Sequence, residues 1–338
     1  MFRTVLFAAA VIASNTEAKL LATADGIRIS PADIDQVVGA AEFRIRNERY
    51  QAQRRAVDKL LNEQLLTKEA AARAVSVPDL LSVEIDSHLL QPEQANVQVA
   101  LTRAEKVYPT VPRDELINRI RAAMLQPQRA ELQAAFFRRL REKYHARVLL
   151  EPPRLIFEPP GWMQFAGGAT APVTMVMFSD FQCPSCKNFF GTLNSLRDHF
   201  NHNLRIAFVN FPLKNHKAAR SAALAAICGF RQGAGWRIAE ELFKSALTDA
   251  SDEKIKGAAS ATGLNMEQFV PCLLDRTSEN LLDSQIAFAE RLGVSATPTV
   301  FVNGRMVVGF VPPWAMIDLI DEELGGSAPS REKVVAGK

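Results

Sequence analysis

Val173-Thr174-Met175-Val176-Met177-Phe178 is a short, almost wholly apolar run, and five residues after it comes Cys183-Pro184-Ser185-Cys186. Runs of this kind form strands buried on both faces of a sheet. The residues after Cys183, through about His199, predict a helix that turns Phe189, Leu193 and Leu196 inward. A strand, a link of four residues and a helix leave Cys183 at a helix start, where unpaired N–H groups and the positive end of the dipole favour a thiolate. That setting lowers a cysteine pKa from about 8.5 to between ~3.5 and ~7.5. Cys186, one turn deeper, is the candidate resolving thiol. The chemistry open to such a pair is exchange: Cys183 attacks a disulfide, a mixed disulfide forms, and Cys186 resolves it.

The rival for the same cysteines is a metal. Cys183, Cys186, His199 and His202 follow a C-x2-C-x12-H-x2-H spacing close to that of a zinc finger. On one helix, however, Cys186 and His199 are about 20 Å apart at ~1.5 Å per residue, whereas zinc needs its ligands ~2.0–2.3 Å away. No metal and no cofactor is expected.

How the cysteines are read depends on the compartment. Met1-Phe2-Arg3, the apolar stretch Val5 to Ala13 and Thr16-Glu17-Ala18 have the order of a secretory signal, so residues 1–18 are expected to be removed; an ordinary buried N-terminal helix is the plain alternative. The apolar part is shorter than the ~20 residues that span a bilayer. The expected location is therefore periplasmic or otherwise extracytoplasmic, with the chain free of the membrane after cleavage. There the four cysteines are candidates for disulfide chemistry. The 40 basic and 37 acidic side chains give a net charge of +3 with no dense basic block, so nothing points to nucleic acid.

At 338 residues two folded units are expected. Residues 19–150 predict an all-α N-terminal domain. Ser30-Pro31-Ala32-Asp33 has the form of a capping box, and Val57, Leu60, Leu61, Leu65 and Leu66 make an apolar stripe at helical spacing. A second stripe follows Val111-Pro112: Leu116, Ile117, Ile120 and Met124, then Leu132, Phe136, Phe137 and Leu140. The stripes suit a bundle that packs on itself, a homodimer, or a surface that holds unfolded clients. Asp25-Gly26-Ile27 and Leu60-Leu61-Asn62-Glu63-Gln64-Leu65-Leu66 resemble the N-terminal helical segment of SurA-like chaperones, without the isomerase domain. Prolines mark residues 151–160 as a linker. A domain over 161–325 and a flexible tail over 326–338 complete the expected organisation. Within that domain Leu204 to Asn210 is a second strand. Thr299–Val302, Asn303-Gly304 and Arg305–Val308 predict a hairpin with a type I′ turn, and Asn265-Met266-Glu267-Gln268 a further capping box.

Three stretches taken together resemble the DsbA-like branch of the thioredoxin superfamily: Ala171 to Cys186, Phe211-Pro212-Leu213 with His216, and Ala296-Thr297-Pro298-Thr299 to Gly304. The resemblance implies an α/β thioredoxin fold with an inserted helical subdomain over about 214–290. It implies a cis Thr297-Pro298 peptide facing the dithiol and pairing with an extended client; a trans strand-entry proline is the plain alternative. It also implies an exported thiol-disulfide oxidoreductase, with oxidase favoured over isomerase or reductase. Its clients would be unfolded or cysteine-containing exported proteins, and a membrane or periplasmic partner would reset it. An isomerase or chaperone-like binding protein using the helical domain is the alternative. The family's buried acid, six residues before the first cysteine, is Met177 here; Asp180 either stands in for it or is a solvated loop carboxylate. Pro184 and Ser185 would tune the potential, and serine in place of DsbA's histidine implies a milder oxidant. Cys228 and Cys272, at places where related proteins carry cysteines, form either a structural disulfide or two buried free thiols.

Overall fold

The computed structural model describes residues 22–24, 27–29, 31–245 and 252–325. The expected signal over 1–18, the tail over 326–338 and Ser30 of the first capping box lie outside those residues, as do Asp25 and Gly26. The described chain opens with an antiparallel pair, β1 (Ala22–Ala24) and β2 (Ile27–Ile29), which adds a small hairpin to the expected helices. Four helices follow: α1 (Pro31–Ala72), α2 (Val77–Glu84), α3 (Gln94–Val107) and α4 (Arg113–Lys143). Ser76 caps α2 by accepting from the Asp79 N–H, with Pro78 in the first turn where no amide partner is needed.

With 42 residues, α1 is about 60 Å long and serves two cores. Its last turns supply Leu65 and Ala70 to a cluster with Leu80, Ile85, Phe136 and Leu140. Glu69 is buried in the same region, and its carboxylate accepts from Arg73, Lys143 and Tyr144, each at 2.7 Å. Those donors offset the cost of taking a carboxylate out of water. Earlier on α1, Phe43 stacks on Phe301 with ring centroids 6.5 Å apart, and Arg54 binds Glu322.

The second half is a five-stranded sheet in the order β3-β5-β4-β6-β7, comprising β3 (Phe165–Gly167), β4 (Val173–Ser179), β5 (Leu204–Asn210), β6 (Thr299–Val302) and β7 (Arg305–Val308). Helix α5 (Pro184–Phe200) is continuous and links β4 to β5. Helices α6 (Ala219–Arg231), α7 (Gly235–Lys244), α8 (Asp252–Ala261), α9 (Met266–Leu273) and α10 (Arg276–Arg291) stand between β5 and β6, and α11 (Pro313–Gly325) follows β7. This is the expected thioredoxin-like sheet with a helical insertion, preceded by a helical region. Asn265 caps α9 by accepting from the Gln268 N–H. Cys228 of α6 and Cys272 of α9 are joined by a disulfide across 44 residues of sequence.

Alternation along β4 builds a core on each side. Val173, Met175 and Met177 pack with Cys186, Phe189 and Leu193, whereas Val176 and Phe178 pack with Phe43, Leu155 and Phe288. The proline-rich stretch expected to be a linker lies against this second side. The Leu155 N–H donates to the Gly304 carbonyl at 2.9 Å, Arg154 binds Glu323, and the Phe157 ring meets Phe288 and Phe301 edge-on. At the β6–β7 turn Asn303 (φ 46°) and Gly304 (φ 83°) are both left-handed, as a type I′ turn demands. A Cβ on Gly304 would sit 2.6 Å from the Leu155 carbonyl oxygen.

Strand direction sets where chemistry can gather. β4 and β5 are parallel and β6 is antiparallel to β4, so two strand ends and one strand start share an edge. Among the described residues no helix is long and apolar enough to cross a membrane.

Candidate active site

That shared edge brings together the links after β4 and β5 and the one before β6. Cys183 is the N-cap of α5, with extended backbone (φ −79°, ψ 117°) and Pro184 at the first helical position. The Cys183 carbonyl accepts the first helical bond, from Lys187 N–H at 3.1 Å. Both cysteines are free thiols, Cys183 being 8% exposed and Cys186 fully enclosed. Thr297-Pro298 is a cis peptide, and its Thr297 carbonyl lies 3.4 Å from the Cys183 sulfur.

The two thiols are driven apart in acidity. Cys183 is brought from 9.0 down to about 5, chiefly because the Cys186 thiol donates to its sulfur. The Thr297 hydroxyl and the Cys186 and Ser185 backbone N–H groups add to this, against desolvation. Cys186 is pushed strongly upward, first by burial and then by giving its proton to Cys183. Sharing one proton in this way yields a thiolate on Cys183 and a thiol on the more deeply enclosed Cys186.

Asp180 is not a solvated loop carboxylate. It is 1% exposed and accepts from Gln182 N–H at 2.7 Å, Leu213 N–H at 2.7 Å and His216 Nδ1 at 2.9 Å. Gln182 continues the seam, its side-chain carbonyl accepting from the Ala218 N–H at 2.5 Å. Asp180 thus ties the Cys183 link to the chain after β5. Met177, at the position of the family acid, is fully buried among apolar side chains.

Of the residues singled out in the sequence, Cys183, Cys186, Asp180, Pro184, Ser185, Thr297 and Pro298 meet at this edge, whereas Cys228 and Cys272 lie in the helical insertion. Sequence reasoning missed Ser179, whose hydroxyl is buried beside Cys186, and it gave His216 no bond. A polar residue ending an apolar strand was the available signal for the first; the second had none local, its partner being 36 residues away. Among the described residues no group of three or more His, Cys, Asp or Glu side chains is placed to hold a metal ion.

Residues 163–322 match the family model described as thioredoxin. Over 157 residues the chain is 33% identical to "Na(+)/H(+) antiporter NhaA 1" of Mycolicibacterium gilvum, covering 46% of this chain and 25% of that protein. It is 31% identical over 164 residues to "Na(+)/H(+) antiporter NhaA" of Herminiimonas arsenicoxydans, covering 48% and 25%. The chain thus spans about a quarter of the length of the curated relatives it matches. Among solved structures it is similar to BdbD from Bacillus subtilis, at 25% identity and TM-score 0.46 over 51% of this chain and 99% of that one. A thioredoxin-like oxidoreductase from Silicibacter pomeroyi gives 24% identity and TM-score 0.45 over 49% and 95%. Residues 163–322, a little under half of the chain, thus form a region similar to thioredoxin, in which five of the described helices stand between β5 and β6.

Proposed function

We propose that this chain is an extracytoplasmic thiol-disulfide oxidoreductase that works on cysteine-containing exported proteins through Cys183 and Cys186. The observation that carries the proposal is the placing of the pair: Cys183 caps α5 with its sulfur 3.4 Å from the Thr297 carbonyl of the cis peptide, and Cys186 lies fully enclosed one turn further on. In the oxidising direction a client thiolate attacks Cys183 Sγ, the Cys183–Cys186 bond breaks, and Cys186 leaves and takes up a proton. A second client thiolate then attacks the client sulfur of the mixed disulfide, and Cys183 leaves as a thiolate. The client gains one disulfide and the enzyme two thiols, which a redox partner reoxidises.

A low pKa on the leaving sulfur favours the reduced enzyme and hence oxidation of the client. Extracytoplasmic location is supported by the Cys228–Cys272 disulfide, a bond that persists in oxidising compartments. The backbone beside Pro298, across from Cys183, is the place for an extended client. The test is the Cys183–Cys186 equilibrium against glutathione. A potential near about −120 mV supports an oxidase, and one near about −270 mV points to a reductase.

A second reading draws on the helical region, where Ile45, Leu60, Val83, Leu90 and Val99 are exposed apolar side chains. Such a surface suits self-association or client holding, as in an isomerase or chaperone-like protein. The mass in solution and the activity of Cys183→Ser decide: a dimer that still protects clients without Cys183 favours the second reading.

A further inference from the structure

Opening the active-site disulfide puts negative charge on Cys186, and no carboxylate stands where the family keeps one. Met177 occupies that position, and the Asp180 carboxylate is taken up by Gln182, Leu213 and His216. Side chains alternate along β4, so Ser179 shares the face of Met175 and Met177, the face on which Cys186 packs, one pleat nearer the end of the strand. Ser179 is 1% exposed and its Oγ has no hydrogen-bond partner. The Asp180 backbone N–H and, after it, this hydroxyl bear on the Cys186 sulfur in the sense that favours its anion. A buried hydroxyl without a partner costs free energy, and its retention beside a reacting atom calls for a reason.

We infer that Ser179 is a side-chain hydrogen-bond donor that, beside the Asp180 backbone N–H, stabilises the charge on Cys186 each time the Cys183–Cys186 bond opens. The inference rests on the exchange chemistry proposed above. When a client thiolate attacks Cys183 Sγ, the bonding pair of the S–S bond passes to Cys186 Sγ. The Ser179 O–H, committed to no other acceptor, turns onto that sulfur. The anion then takes up a proton equivalent to the one lost when the client thiol ionised, so charge and protons balance. In the closing direction the same hydroxyl holds the Cys186 anion while it attacks the mixed disulfide. The Thr297 hydroxyl, also buried without a partner, bears on both sulfurs and does not distinguish them.

The test uses the full chain with both cysteines present, as Ser179→Ala and Ser179→Thr. The oxidised protein is mixed with excess reduced glutathione, and ring opening is followed by rapid quench and mass spectrometry. Ser179→Ala should open about 10- to 100-fold more slowly, the range for a hydrogen bond to a charged group, with Ser179→Thr close to wild type. Alkylation of Cys183 in the reduced protein and the thermal midpoint should stay near wild type in both variants. If Ser179→Ala does not fold, Ser179→Thr against Ser179→Val compares hydroxyl with methyl in the same shape. A folded variant without the hydroxyl that opens at the wild-type rate overturns the inference, as does an equal slowing of Cys183 alkylation. A wild-type chain that never forms the Cys183–Cys186 bond ends the exchange proposal itself, which is a separate and recognisable failure.

Discussion

Cys183 owes most of its acidity to one neighbour, and that dependence can be measured. Since the Cys186 thiol is the leading cause of the depressed value, Cys186→Ala should move the alkylation midpoint of Cys183 upward from about 5. The sign of the stability effect follows. A thiol depressed from 9.0 to about 5 stabilises the folded reduced chain fully above pH 9, and progressively less as pH falls through about 5. Urea midpoints of the reduced chain should therefore rise between pH 5 and 9, measured relative to the oxidised chain, in which Cys183 cannot titrate. Asp180 offers a second check. Replacement by Ala strands the Gln182 and Leu213 N–H groups, and a loss of about 2–4 kcal/mol is expected in a urea titration. The dithiol itself was legible, because strand, Cys-x-x-Cys and helix are contiguous in sequence. The setting of Asp180 was not: a carboxylate three residues before a cysteine reads alike in solvent or in a pocket, and its partners arrive only after β5 is laid beside β4.

Turn and crosslink chemistry decide how well single elements are read. The β6–β7 hairpin was visible because Asn303-Gly304 is one of the few pairs that tolerate two left-handed residues. Gly304→Ala is expected to destabilise by about 1–3 kcal/mol in urea, since its new Cβ would press on the Leu155 carbonyl. The insertion depends on a covalent tie from α6 to α9. Replacing Cys228 and Cys272 by Ala should cost about 3–4 kcal/mol by loop entropy, read as a lower urea midpoint. The proline-rich stretch over 151–160 was read as a linker because prolines stop helices; nothing local says that Arg154, Leu155 and Phe157 find partners on the sheet. β3 escaped notice for a related reason, since three residues, Phe165–Gly167, carry too short a pattern to stand out.

At the scale of the whole chain, the boundary between a helical region and a thioredoxin region is crossed by α1. Phe43 belongs to the core of the sheet although it lies in the helical half of the sequence, set among Glu42, Arg44, Arg46 and Glu48. Charge on both sides hid it, because Phe43 and Ile45 stand alike among charged neighbours, yet Phe43 is buried and Ile45 is exposed. Phe43→Ala should destabilise the sheet domain by about 3–5 kcal/mol, measured as a loss of midpoint in urea. Beside it Tyr50 and Arg54 reach Arg305 and Glu322, and further along the same helix Leu65 and Ala70 enter the other core. A beam built into both halves cannot be cut loose from one without fraying the other, so heating the intact chain in a calorimeter should give one endotherm where two separate lodgers would give two.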